Sequence, residues 1–242
     1  MGKNRRSDVD TVLIEATRQH TMIRQGYERA LQDKSLDLRV PVKNLMENLR
    51  SALDYMAHDV YIACCQAVRR ANGKPDPRKI YFPYGRTEED FIKRVGDWLP
   101  NLGTNSPEVY RILLSIQPFS CGDSWLYDLC TILNTNKHDH LTAQTRMESE
   151  TYSVESRHGS VTIPVNNPSR RVISSPGAVK IFGVPAEFRE DGIYTAPSDE
   201  LKHKHIKWVS FIFADTNMNV INMLDKAVVN IKQLAETLYQ MI

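Results

Sequence analysis

No stretch of this 242-residue chain comes near the roughly 20 consecutive apolar residues that a membrane-spanning helix needs. Its longest apolar run, Trp208-Val-Ser-Phe-Ile-Phe-Ala214, is strand-sized. Cysteine is scarce: the four residues Cys64, Cys65, Cys121 and Cys130 form no CxxC pair. A disulfide framework is therefore not expected, and the thiols read as reduced and mostly buried. No charge sign dominates, since 31 basic and 29 acidic side chains leave a formal +2. That balance excludes strong non-specific nucleic-acid binding through overall charge and leaves room only for a local basic patch. A P-loop, a dinucleotide fingerprint, HExxH and GxSxG are all missing, so neither a cofactor nor a metal is expected. The basic start, Met1 to Ser7, is followed by Asp8, Asp10 and Glu15 where a signal peptide would carry apolar residues. A cytoplasmic location, with no membrane partner, is the default expectation.

What the chain does have is enough apolar content, 41% of residues, to bury a core. Asp8 to about Lys34 reads as a helix capped by Ser7. Pro41 opens a stronger helix that runs to Ala71 and stops at Asn72-Gly-Lys-Pro75. Its residues Leu45, Leu49, Ala52, Met56, Val60, Ala63 and Ala67 recur at three and four, one apolar stripe. Pro75 to Gly85 is an extended connector. Short helices follow at Thr87 to Val95 and at Pro107 to Ile116, then a helix from Ser124 to about Ala143. After Thr145 the texture becomes β-branched and turn-rich. Tyr152 and Val154 precede a His158-Gly159 turn and the alternating Val161, Ile163 and Val165. Pieces follow at Val172-Ile173, Val179 to Phe182 and Ile193 to Thr195, and then at Lys207 to Ala214, apolar enough to be covered on both faces. From Asn217 or Asn219 to Ile242 a helical period returns. The expected fold is α+β: an N-terminal helical bundle over 1–145, then a small antiparallel β region and a C-terminal amphipathic helix over 146–242, packed on the first part as one unit.

Two polar rows could carry chemistry. With Leu126 at zero on a helical wheel, Leu129 and Leu133 fall within about 60° and Lys137 near 20°, so a lysine continues an apolar stripe. Asn134 and His138, four apart, share a flank of that helix. An ammonium there either meets an acceptor or emerges into water. On the earlier helix Arg50, Asp54 and His58 form a second row at i, i+4 and i+8. Such a row can set the protonation of a histidine and hold a guanidinium beside phosphate, or be an exposed ion pair of a few tenths of a kcal/mol. His203 and His205 would share a strand face, with no third zinc ligand recognisable. Tyr81, Phe82 and Tyr84 beside Arg78, Lys79 and Arg86 mix rings and cations as single-strand RNA surfaces do, although packing of a proline-rich connector explains them as well.

Asn48-Leu-Arg-Ser-Ala-Leu-Asp-Tyr55, Ile116-Gln-Pro-Phe119 and the block Leu129 to Asn134, Lys137-His138 and Leu141 resemble the signature segments of a widespread, largely uncharacterised bacterial family. Its members carry an NLRSALD helix, a QPY turn and a helix ending in N…DKHR. That helical unit in turn resembles HEPN domains, many of them metal-independent ribonucleases of stress and phage-defence systems that act as dimers. Their motif is Arg, a polar residue and His on one helix. In such a site His moves the 2′-hydroxyl proton, Arg neutralises the phosphorane and Asn orients them. Here Asn134 and His138 match, but no Arg precedes His138 by four to six residues. Lys137 stands in, and Asp139 occupies the place of the family's terminal Arg. The guanidinium would come from elsewhere, such as Arg50 or Arg111.

The resemblance implies an RNA- or nucleotide-binding protein, a homodimer, with His138, Asn134, Lys137 and Arg50 as the catalytic set of an endoribonuclease of stress or antiviral defence. Asp54, His58, Asn48 and Gln117 would be binding residues. The alternative is a non-catalytic interaction or sensor module in which the same polar residues form a structural network.

Overall fold

The computed structural model describes residues 5–30, 32–138, 144–164, 179–189, 192–196, 198–213 and 218–242, and the side chains of 135–138, 189, 192 and 208 lie outside that description. The fold is mixed α+β with antiparallel sheets. Helices α1 (Arg6–Ala30), α2 (Arg39–Val60), α3 (Ala67–Ala71), α4 (Glu88–Trp98), α5 (Leu102–Asn105), α6 (Pro107–Ser115), α7 (Pro118–Cys121) and α8 (Trp125–His138) come first. Strands β1 (Gln144–Ser156), β2 (Gly159–Pro164), β3 (Val179–Ile181), β4 (Val184–Arg189), β5 (Gly192–Thr195), β6 (Lys202–Phe213) and β7 (Met218–Asn219) follow, and α9 (Val220–Leu238) closes the chain. Among the described residues no helix is long and apolar enough to cross a membrane.

The chain divides into two compact units: 1–26, 37–144 and 212–242 in the first, 27–36 and 145–211 in the second. The boundary near 145 is where the sequence texture changes. The return at 212 was not legible, and it puts α9 with the first helices, whereas the sequence reading grouped it with the β-rich segment. In the first unit α2 packs on α8 and α9, and α6 also meets α9. Val220, Met223, Leu224, Ala227, Val228, Ile231, Leu234, Ala235 and Leu238 form the buried face of α9. Each large apolar side chain so buried contributes about 1.5–3 kcal/mol relative to exposure, far more than helix propensity supplies. The Asn219 side chain caps α9 by accepting the Asn222 N–H at 3.0 Å.

Two helix expectations needed correction. Ser7 does not cap α1, which already begins at Arg6; Ser7 is inside it and its carbonyl accepts the Thr11 hydroxyl. The apolar stripe of α2 is buried through Leu45, Leu49, Ala52, Met56 and Val60, but Ala63 and Ala67 are exposed. The cause is a π-helical turn at Tyr61–Gln66. One extra residue in the turn rotates everything downstream by about 100°, so Tyr61 and Cys65 face inward instead. Widening the turn also re-aims carbonyls, and the Asn105 amide donates to the Cys64 carbonyl at 2.9 Å. The helix ends as expected, with Gly73 left-handed at φ +67°.

In the second unit β1 and β2 form the hairpin anticipated around His158-Gly159, with Val154 opposite Val161. Strands β3, β4 and β5 make a second antiparallel sheet, with β4 central and not foreseen. Val154, Ile181, Ala186, Ile193 and Leu201 are the core of this unit. Strand β6 is longer than expected and is not covered on both faces: Val209, Phe211 and Phe213 are buried, Ser210 and Ile212 only half so. Its last residues, Ile212 and Phe213, pair with Asn219 and Met218 of β7. Val165 and Val172-Ile173 lie outside the described residues.

Candidate functional site

The extended connector places the site, and Gln117 holds the connector. This glutamine is fully buried. Its Oε1 accepts the Gly85 N–H at 3.0 Å, and its amide nitrogen donates to the carbonyls of Leu113 (2.8 Å) and Pro83 (3.3 Å). Gly85 admits no side chain, because a Cβ there would lie 2.6 Å from the Phe91 nitrogen and 2.8 Å from the Thr87 oxygen. The Phe82 N–H donates to Asp54 Oδ1 at 2.9 Å, which fastens the connector to α2. The i, i+4 spacing marks Asp54 in the sequence; its backbone contact leaves no trace there.

These contacts seat the Tyr84 ring, 5% exposed, at the centre of a cluster. Arg50 of α2 lies 5.2 Å from its centroid and Arg94 of α4 lies 3.9 Å from it. Arg94 also donates to the Tyr84 carbonyl at 2.6 Å. The Tyr84 hydroxyl accepts from the Asn134 amide of α8 at 2.8 Å. Arg50 completes the circuit: its Nε donates to Asp54 at 3.2 Å, and its Nη1 meets Cys130 Sγ of α8 at 2.6 Å. Arg50 and Asn134, one residue from each predicted row, therefore meet on one tyrosine. Arg94, the second cation on that ring, carried no sequence signal, because four residues after Asp90 it reads as an ordinary solvent-facing helix charge.

The Arg50 side chain is only 12% exposed, and Asp54 is 23% exposed. Stacking on Tyr84 and pairing with Asp54 offset the desolvation of the guanidinium. Burial pushes the Cys130 thiol up, and the neighbouring Arg50 only partly opposes that. Cys130 is thus a neutral thiol at neutral pH and not a nucleophile.

The remaining sequence candidates fall in different places. Asn48 donates to Gln19 at 3.0 Å and so ties α2 to α1. His58 is half-buried one turn beyond Asp54. Burial first and Arg5 second push its pKa below the usual imidazole value, against the pull of Asp54 and Asp59, so it is neutral at pH 7. Lys137 and His138 continue α8 one turn past Asn134, and their side chains lie outside the described residues, as do Asp139 and Leu141. Of the connector's aromatics, Phe82 and Tyr84 are core and Tyr81 is exposed, edge-on to Trp98 at 5.6 Å, as are the basic residues Arg78, Lys79 and Arg86. His203 hydrogen-bonds Tyr152 and Thr195, and His205 pairs with Glu150. Among the described residues no group of three or more His, Cys, Asp or Glu could hold a metal ion.

A second buried polar knot escaped the sequence altogether. Asp59, 6% exposed, accepts the Arg5 N–H at 2.9 Å and the Tyr239 hydroxyl at 2.8 Å. It lies on the apolar side of α2, and only its partners from both ends of the chain explain why a carboxylate is tolerated there.

Two cavities bear on function. An open trough of about 740 Å³ between α1 and α9 has Leu13, Ile14 and Ala235 in its wall, with Arg6, Arg18 and Lys232 set against Asp10 and Glu236. Its three cations are largely offset by two carboxylates, which leaves only a weak positive field for a phosphate. A cavity of about 590 Å³ lies on the outer side of α8, where Tyr127, Asp128 and Thr131 face Arg86 and Phe119. Tyr127 stands edge-on to Tyr84 at 6.2 Å, so this cavity adjoins the cluster. Residues 127, 131 and 134 recur at four and three, one face of α8. Set against known family models, curated proteins and solved structures, the chain matches none.

Proposed function

We propose that this chain is a HEPN-like RNA- or nucleotide-binding protein whose N-terminal helices form the helical bundle of that class and whose α8 is the ligand helix. The observation that carries the reading is the convergence of Arg50 and Asn134 on Tyr84, which joins the polar row of α2 to the tip of α8. In this reading Arg50, Asp54 and Tyr84 are positioning residues. They fix α8 through Cys130 and Asn134, while Tyr127, Thr131 and position 138 meet the ligand. The catalytic version gives His138 the 2′-hydroxyl proton and Lys137 the phosphate charge, in a homodimer of bacterial stress or phage defence, without metal.

A second reading, the non-catalytic interaction or sensor module, is favoured by one observation: the Arg50 guanidinium is nearly buried and already engaged by Asp54 and Cys130. The two readings separate on one comparison, wild type against His138→Ala, using labelled single-stranded RNA and a thermal melt. The catalytic reading expects cleavage that falls by about 10²-fold or more in His138→Ala, with an unchanged melting temperature. Cleavage equal in both proteins, or absent from a clean preparation, removes the catalytic claim. The module reading expects His138→Ala to melt lower and no nucleotide or RNA to raise the melting temperature of either.

A further inference from the structure

The cavity on the outer side of α8 has a chemistry more specific than phosphate binding. Its wall combines two aromatic rings, one carboxyl group and one guanidinium: Phe119, Tyr127, Asp128 and Arg86, with the Ser124 and Thr131 side chains between them. Both rings are held from behind. Phe119, 37% exposed, lies 6.3 Å from Phe91, and Tyr127 lies 6.2 Å from Tyr84. Rings braced in this way offer flat apolar surface at little entropic cost. At about 590 Å³ the space is within the range of about 300–1,000 Å³ that holds small ligands.

Asp128 sets the selectivity. It is half-buried, and burial pushes its carboxyl up; a hydrogen bond from the Ser124 side chain opposes this, Asp123 adds to the rise and Arg86 weakly opposes it. Lining the cavity with the Ser124 hydroxyl as one donor, the carboxylate keeps acceptor lone pairs for a ligand that brings paired N–H donors. Among the bases only guanine presents two neighbouring donors, N1–H and N2–H₂, on its Watson–Crick edge. Adenine and cytosine each set a ring-nitrogen lone pair beside their amino group, and uracil flanks its one N–H with two carbonyls, so each would face the carboxylate with at least one repulsive acceptor. Arg86 is exposed at the rim, on the residue after Gly85, where a guanidinium suits a 5′-phosphate.

We infer that this cavity is a guanine-nucleotide subsite, with Asp128 reading the base edge, Phe119 and Tyr127 flanking the ring and Arg86 on the phosphate. The inference rests on the nucleotide-binding reading of α8 and adds its base specificity. In an RNA ligand it selects guanine at a position adjoining the Asn134 turn.

Calorimetric titration of the full chain with GMP, AMP, CMP and UMP tests it. GMP is expected to bind at least about tenfold more tightly than the other three. Asp128→Asn, which exchanges one acceptor oxygen for a donor, should bring GMP down to the level of AMP. Arg86→Ala, an exposed position, should weaken GMP while leaving free guanosine unchanged. Four equal affinities, no binding of any mononucleotide, or a guanine preference that survives Asp128→Asn overturns the inference. A parallel titration with guanine-free single-stranded RNA tells the two claims apart: if it binds while GMP shows no preference, the RNA reading stands and the subsite falls.

Discussion

Arg50→Ala is expected to destabilise the first structural unit by about 3 kcal/mol, enough to lower its melting temperature by roughly 6–12 °C. The size follows from what the guanidinium touches. Removing it leaves the Asp54 carboxylate, 23% exposed, with only the Phe82 N–H as a fixed partner, strips a cation from the Tyr84 ring and opens space beside Cys130. Arg50→Lys keeps a charge but not the planar fork, so it should recover no more than about half of the loss. Thermal melts of the two variants check this, and their RNA affinity supplies the contrast. A positioning residue loses stability first and affinity only in step with it. An Arg50→Ala protein that melts like wild type yet no longer binds RNA would instead make Arg50 a ligand-contacting group.

Gln117→Ala should be comparably damaging, by about 3 kcal/mol, for a different reason. Nothing charged is lost. Three hydrogen bonds disappear from a side chain with no exposure to solvent, and the Gly85 N–H and the Pro83 carbonyl are stranded in a buried connector. Gln117→Glu is no remedy. It keeps the acceptor for Gly85 but turns a second oxygen toward the carbonyls of Leu113 and Pro83, which burial and repulsion both penalise. Chemical denaturation of Gln117→Ala gives the free energy directly, and a loss below about 0.5 kcal/mol would contradict the role assigned to this residue. Because the connector carries Tyr84, the same variant should also loosen the Asn134 contact, although Gln117 touches neither side chain.

The contrast between these residues explains how much the sequence disclosed. Periodicity exposed the inward faces: Leu45, Leu49, Ala52 and Met56 on α2, Leu126, Leu129 and Leu133 on α8, and the stripe of α9 are buried as the spacing predicts. The pattern failed at Ala63 and Ala67 because a π-helical turn adds a residue that no 3.6-residue wheel contains. The candidate site was half legible. Arg50 and Asp54 declared themselves by i, i+4 spacing, and Asn134 by the same spacing to His138 beside the lysine that interrupts the apolar stripe. Their common partner, Tyr84, did not, because an aromatic in a proline-rich connector looks the same whether it packs inward or faces solvent. Arg94 and Asp59 were silent for a related reason. What gives a buried charge its meaning is a partner distant in sequence, as with Asp59 and Tyr239, and spacing along one helix carries no trace of it. The motif resemblance implies a binding role for Gln117, whereas its contacts fasten the backbone that seats Tyr84.

On α8, Cys130 and Asn134 are held by Arg50 and Tyr84, while Tyr127, Asp128 and Thr131 line the cavity proposed to take the ligand. Hydrogen–deuterium exchange of the full chain, with and without a short guanine-containing single-stranded RNA, addresses that claim most directly. It predicts slowed exchange over 82–86 and 125–138 when RNA is present, with α1 and α9 unchanged. Slowing confined to α1 and α9, or no change anywhere at saturating RNA, would contradict it.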